Sequence, residues 1–391
     1  MTWRTASPMC LGVVIATLAA AACGDGTSQV VAPADVPDST RVSASVRWNQ
    51  RAVALVVARP PAGNGQAAVS RILTYLSLAQ YRAVLAAQVA GGSRPPSVAA
   101  AVGGASAVVL GSFFPLDVAA IEAQLNGDLA IPPWPGTGTE SIADGESLGR
   151  KVGAAAVAQA ARDNYLVLAP GSPPTGPGHW ASAVGVGVVR SLHGARPFFL
   201  TAADQLRSPA PPAMGSPQFA AALAEVRRIA DTRTPEQIAI ASAWNTSSGP
   251  FTAGALNLVA DSVIREHRTP EPEAARILAY ANAAAFDAQI ACWDAKFAHW
   301  FPRPSQSDPV IAMAIALPNH PSYPSGHSCI TGALLGVLAD AFPQDRARLD
   351  AMVEAAGMSR VYGGIHYRFD IDAGRDIGRA AAALALRGSL R

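Results

Sequence analysis

Ser359-Arg360-Val361-Tyr362-Gly363-Gly364-Ile365-His366-Tyr367-Arg368-Phe369-Asp370 sets an always-charged guanidinium, an imidazole and a carboxylate in one short stretch. Gly363 and Gly364 allow a tight backbone bend between Arg360 and His366. The step of four from His366 to Asp370 puts both on one face if the segment is helical. Asp370 can then hold one ring nitrogen and leave the other free for a ligand. The apolar periodicity after His366 predicts a last helix to about Leu386, so the three groups belong inside packed helices.

Two upstream segments supply matching chemistry. Pro324-Ser325-Gly326-His327 precedes the apolar run Cys329 to Ala341, a helix-start pattern with Ser325 as the N-cap. First-turn N–H groups of such a helix, Gly326 among them, are donors for an oxyanion. Lys296-Phe297-Ala298-His299-Trp300-Phe301-Pro302-Arg303-Pro304 ends a long predicted helix, which Pro302 stops. Lys296 and Arg303, about two turns apart, can then converge. Two Arg, one Lys, a Ser, an amide and two His make a site for a tetrahedral or trigonal-bipyramidal oxyanion. Read singly, Lys296 is a solvated charge, Ser325 a cap, His327 and His366 core histidines and Asp370 a surface carboxylate. Their joint order argues otherwise. His299 keeps its core or surface reading.

The rest of the chain predicts an all-α protein in two helical-bundle halves, with the oxyanion site in the core of the C-terminal bundle. Residues 46–200 form the first half, with helical spacing over Val46 to Gln88 broken at Arg59-Pro60-Pro61-Ala62-Gly63, a pair around Phe113-Phe114-Pro115, and Ser147 to Asp163. This half carries none of the oxyanion motifs and is expected to cover the other half or shape the mouth of the site. Residues 201–391 form the catalytic bundle, entered through a Pro-rich crossing from Phe198 to Ala213. Its predicted helices are Gln218 to Asp231, one opened by the Thr234-Pro235-Glu236-Gln237 capping box, Phe251 to His267, Glu273 to Trp300, Ser325 to Ala341, and the last one.

In 391 residues, half are hydrophobic and 15% charged, which fits globular cores. The net charge of +2 gives no reason to expect nucleic acid or an anionic membrane surface as partner. Residues 1–22 read as a secretory signal peptide, with an apolar run over Leu11 to Ala22, and 23–45 as a flexible tether. Ala20-Ala21-Ala22-Cys23 resembles a lipoprotein cleavage site without its usual large aliphatic residue. Lipid attachment through Cys23 and simple secretion both stay open, with export to the periplasm or cell surface in either case. In an oxidising compartment Cys292 and Cys329 can pair or remain separate buried thiols.

Lys296/Arg303/Pro304, Pro324 to His327, and Ser359/Arg360/His366/Asp370, in that order, resemble the three-part signature shared by vanadium-dependent haloperoxidases and the type-2 phosphatidic acid phosphatases and class A acid phosphatases. Trp293-Asp294-x-Lys296 and His366-Tyr367-Arg368-Phe369-Asp370 are closer to the bacterial haloperoxidases. The resemblance implies vanadate, or phosphate in the same site. His366 would be the metal ligand. Lys296, Arg303, Ser325, Gly326 and Arg360 would hold the oxygens, while His327 and Asp370 act with His366 in catalysis. Hydrogen peroxide and a halide would be the substrates. His320, five before Ser325, stands where bromoperoxidases tend to carry His, which implies bromide or iodide; Trp293 is the other candidate near the halide. The alternative is a secreted acid phosphatase acting on a phosphomonoester through a phosphohistidine at His366. Family members often brace the motif arginine with an acidic residue where this chain has Asn245, so Arg360 is expected to be held less firmly or by another carboxylate such as Asp287.

Overall fold

The computed structural model describes residues 42–62, 64–130, 140–170, 172–182 and 192–390. The signal peptide, Cys23 and most of the tether lie outside the described residues. Every described regular element is a helix, apart from one isolated bridge between Pro96 and Ser141. The all-α expectation therefore holds.

Capping residues set most helix starts. The Ser43 hydroxyl accepts from the Val46 N–H and opens α1 (Ala44–Ala58), and Asn64 does the same for α2 (Gly65–Ala90). Ser97 caps α3 (Val98–Phe113), which stops before Pro115, where α4 (Val118–Leu129) takes over. Ser141 caps α5 (Ile142–Ala160), which begins several residues before the predicted Ser147. The sequence reading missed that first turn because Asp144, Gly145 and Glu146 mask its apolar stripe. Gly145, Gly149 and Gly153 lie on one stripe of α5 and let it seat directly on the α3 backbone; a Cβ on Gly149 would stand 2.0 Å from the Ala101 carbonyl oxygen.

The second half comprises α6 (Pro217–Thr232), α7 (Pro235–Ala243), α8 (Phe251–Glu266), α9 (Glu271–His299), α10 (Gly326–Ala341), α11 (Arg346–Tyr362) and α12 (Arg368–Arg387). The capping box at Thr234 is present in full, with Thr234 and Gln237 satisfying each other's backbone N–H. α9 is buried on every face along most of its length, as a helix enclosed by others must be. It packs against α10 and α12 on one side and against α2 of the first half on the other. One core gathers around α9, α10 and α12, and a second fills the space between α1, α2, α3 and α5.

α11 was not expected. Its buried apolar side chains are only Leu349, Met352, Ala356 and Val361, beside Ser359 and Arg360, and charged Arg346, Arg348, Asp350 and Glu354 interrupt the pattern. So thin a stripe does not register as amphipathic, yet this helix carries Arg360 to the site.

Asp287 corrects a second expectation: it does not brace Arg360. Its carboxylate, fully buried on α9, accepts from the Phe198, Phe199 and Leu200 N–H groups at 2.8, 2.6 and 3.0 Å. It thus pins the crossing segment to the central helix. Burial raises its pKa to about 6, against the pull of those three amides. Asp287→Ala is expected to lower unfolding stability by about 3 kcal/mol, since it strands buried donors. Equilibrium denaturation checks this, and an unchanged midpoint would contradict it.

Candidate active site

His366 is placed by a turn, not by a helix. α11 ends at Gly363, and Gly364, at φ +76°, turns the chain back in a conformation that favours glycine. Tyr367 is extended, and α12 starts at Arg368. The expected pairing with Asp370 exists, but its cause differs. Asp370 sits in the first turn of α12 and its Oδ2 reaches back to the Tyr367 N–H at 3.1 Å, capping the helix as short acidic residues do. The same oxygen accepts from the Ser322 hydroxyl at 2.6 Å and lies 2.7 Å from His366 Nδ1. Burial raises Asp370 to a pKa of about 6, and the Ser322 hydroxyl and Lys296 oppose this. Burial, then Arg303 and Lys296, push His366 well below the ordinary histidine range. The ring is therefore neutral, with its Nδ1–H donated to Asp370. Arg303 Nη1, which can only donate, stands 2.9 Å from Nε2 and fixes the lone pair there.

Arg303 is wholly buried just beyond the end of α9, which stops at His299 with Trp300 in the left-handed region, before the predicted stop at Pro302. It also donates to the carbonyls of Ile365 and His320, at 2.7 and 3.1 Å, and to His320 Nδ1 at 3.1 Å. Gln306 holds its backbone N–H. Lys296 is equally buried. Its Nζ donates to the Pro321, Ser322 and Pro324 carbonyls at 2.9, 2.8 and 2.5 Å, which fastens the loop leading to α10. Burial lowers its pKa to about 8. Arg360, 2% exposed, donates to the Ser359 hydroxyl at 2.9 Å and the Ala241 carbonyl at 3.1 Å. The brace expected from an acidic residue is thus a backbone carbonyl at the end of α7.

Ser325 is the N-cap of α10, as expected; its hydroxyl accepts from Ser328 N–H at 3.5 Å and its own N–H donates to the Asp370 carbonyl at 2.8 Å. Gly326 follows, with the Trp293 ring where a Cβ would lie, and Trp293 stacks obliquely toward His320 at 5.4 Å. His327, in the first turn of α10, has Nε2 3.0 Å from the Trp244 carbonyl and 3.1 Å from the Thr252 hydroxyl. A carbonyl can only accept, so Nε2 carries the proton and Nδ1 the lone pair. Burial and Arg360 hold this ring well below the usual pKa. Cys292 and Cys329 are free, buried thiols. His299 binds the Ser208 carbonyl and takes no part. Ser322, Thr252 and the Trp244 carbonyl were not anticipated, because hydroxyls and carbonyls outside a motif carry no spacing signal.

Small residues keep this cluster tight. Gly374 of α12 lies against α10 so closely that a Cβ would stand 2.6 Å from the Ser325 carbonyl oxygen and 2.8 Å from Ser328 Cβ. Gly374→Ala is expected to cost about 1–3 kcal/mol of stability and to displace Ser325 from Asp370. A thermal melt with an unchanged midpoint would contradict this.

The electrostatics fit an anion. Lys296, Arg303 and Arg360 are 0, 0 and 2% exposed, and among the described residues none has a carboxylate within ion-pair distance. Their charges face one buried carboxylate, Asp370, which His366 already engages. Uncompensated buried charge is costly, so an anionic ligand is the natural counter-charge. Among the described residues no three His, Cys, Asp or Glu side chains gather to chelate a metal ion.

Residues 275–390 match the family model described as the PAP2 superfamily. The structure of a bacterial vanadium-dependent iodoperoxidase superposes with a TM-score of 0.72 at 21% identity, over 88% of this chain and 94% of its own. Apo-type and holo-type bacterial vanadium-dependent chloroperoxidase structures follow, with TM-scores of 0.67 and 0.64 at 15% and 13% identity; they cover 84% and 85% of this chain and 95% and 96% of theirs. Both halves, and not only the matched segment, thus have the fold of those structures. Residues 275–390 thus resemble the PAP2 superfamily, and the chain as a whole shares the fold of these vanadium-dependent iodoperoxidase and chloroperoxidase structures.

Proposed function

We propose that this chain is a vanadate-dependent haloperoxidase that oxidises bromide or iodide with hydrogen peroxide to hypohalous acid. The observation that carries the reading is the set of three buried cations without ion-pair partners, gathered about a neutral histidine whose Nε2 bears the lone pair. The likeness of both halves to vanadium haloperoxidases favours the peroxidase over a minimal phosphatase. Bromide or iodide follows from His320, which stands beside Trp293 and Arg303.

When bound, vanadate supplies the Lewis acidity that makes hydrogen peroxide an oxidant for halide. His366 offers Nε2 to the metal, and Asp370 keeps the proton on Nδ1. Arg303 and Arg360 neutralise the anion's oxygens through charge-assisted hydrogen bonds, with the Ser325 hydroxyl and the Gly326 N–H as further donors. Lys296 contributes its charge while its three donors hold the 321–324 loop. His327 would accept a proton from hydrogen peroxide at Nδ1 and hold it for release. Export, with or without a lipid on Cys23, belongs to the same proposal and rests on the N-terminal sequence.

The second reading is a phosphomonoester hydrolase. The tautomer that Asp370 and Arg303 impose also makes His366 Nε2 a nucleophile for phosphorus, with His327 protonating the leaving group. Incubating the mature protein with orthovanadate, hydrogen peroxide and bromide or iodide separates the two. Halogenation of a phenolic dye supports the peroxidase. Hydrolysis of a phosphomonoester inhibited by vanadate, with no halogenation, would replace it with the phosphatase.

A further inference from the structure

Gln66 carries the first half to the site. Gln66, in the first turn of α2, grips Thr252 with both ends of its amide. Its Nε2 donates to Thr252 Oγ1 at 2.9 Å, and its Oε1 accepts from the Thr252 N–H at 3.0 Å. The second bond fixes which end of the amide is which, since a backbone N–H only donates. Thr252 is fully buried in the first turn of α8, and its hydroxyl lies 3.1 Å from His327 Nε2 and 3.3 Å from the Thr246 hydroxyl. The single Nε2–H of His327 is shared between the Trp244 carbonyl at 3.0 Å and this hydroxyl, and with Gln66 also donating to it the hydroxyl is left to donate to Thr246.

The start of α8 is shaped to meet α2. Phe251 sits at φ +56°, a region that aromatic residues rarely occupy, and packs into the core of the first half. Its ring lies where Gly65 has no side chain; a Cβ there would stand 2.5 Å from the ring. Gly65 and Gln66 of one half thus receive Phe251 and Thr252 of the other.

We propose that Gln66 and Thr252 are positioning residues for His327: they hold its Nε2–H and present Nδ1 for proton transfer, so the first half takes part in catalysis. This rests on His327 being the proton-transfer group of the proposed function. A latch that merely joins the halves would make the same contacts, so the test needs readouts that a latch does not move.

Imidazole nitrogen shifts in isotope-labelled, vanadate-free protein are expected to show His327 neutral with its proton on Nε2. In Thr252→Val and Gln66→Leu that proton is expected to exchange faster with solvent. In the vanadate-loaded enzyme both changes are expected to lower kcat by about 10- to 100-fold, as loss of an orienting partner does, with vanadate affinity within about twofold of the wild type. Thr252→Ser, which restores the hydroxyl, is expected to recover most of the rate. A proton on Nδ1, an unchanged kcat, a parallel loss of vanadate affinity and melting temperature, or no recovery in Thr252→Ser would each overturn this positioning role. A wild type with the Nε2 proton and its variant-dependent exchange, but without turnover, counts against the functional reading and supports the positioning.

Discussion

Replacing His366 by Ala is expected to lower halogenation in the presence of vanadate by about a thousandfold or more, the scale of losing a group on which the chemistry is built. The reason is specific to its hydrogen bonds. Nδ1–H is spent on Asp370 at 2.7 Å, and Arg303 keeps Nε2 as the acceptor, so one lone pair is offered at one place. No neighbouring ring can stand in. His320 Nδ1 accepts from Arg303, and His327 is held through Nε2 at the Trp244 carbonyl and the Thr252 hydroxyl. Asp370→Asn is the graded companion. It keeps the shape and removes the charge that fixes the tautomer, and its expected cost is about 10- to 100-fold in vanadate affinity. Initial rates and vanadate titrations check both. A His366→Ala protein that folds and retains a rate within tenfold of the wild type would contradict this role.

Arg360→Met is expected to separate ligand binding from stability in opposite directions. In the ligand-free protein Arg360 is buried with only the Ser359 hydroxyl and the Ala241 carbonyl as partners, and burial opposes its charge. A hydrophobic residue of similar length removes that desolvation penalty, so the ligand-free variant is expected to melt at the wild-type temperature or above. Binding loses a charge-assisted hydrogen bond inside the protein, about 2–4 kcal/mol, or roughly 30- to 1000-fold in dissociation constant. A structural arginine would behave the other way, with stability lost and affinity kept. Paired thermal melts with and without vanadate distinguish the two.

How far the sequence foretold this arrangement depends on the physical origin of each part. The cap at Ser325, the capping box at Thr234 and the helix breaks at Arg59-Pro60 and Phe114-Pro115 are local chemistry, so they are written in consecutive residues. The grouping of Lys296, Arg303, Arg360 and His366 was expected from the joint order of three motifs, not from any one of these residues. What escaped the reading is tertiary. α11 is held by four buried apolar side chains on a charged helix, so its periodicity is faint until α10 and α12 are packed against it. Asp287 looks like any helical carboxylate until the crossing segment brings three backbone N–H groups to it. His366 and Asp370 meet as expected but through a helix cap, since four-residue spacing fits a turn entering a helix as well as a helix itself. Thr252 and Gln66 are distant in sequence, and no single residue of either segment announces the contact.

The central claim is that a buried cationic cup closes around one tetraoxo anion through His366. Titration of the purified protein with orthovanadate, followed by vanadium NMR and calorimetry, tests it most directly. One vanadate per chain is expected, displaced by phosphate in competition and lost in His366→Ala while the fold survives. Absence of saturable binding, or binding that His366→Ala leaves intact, would contradict it.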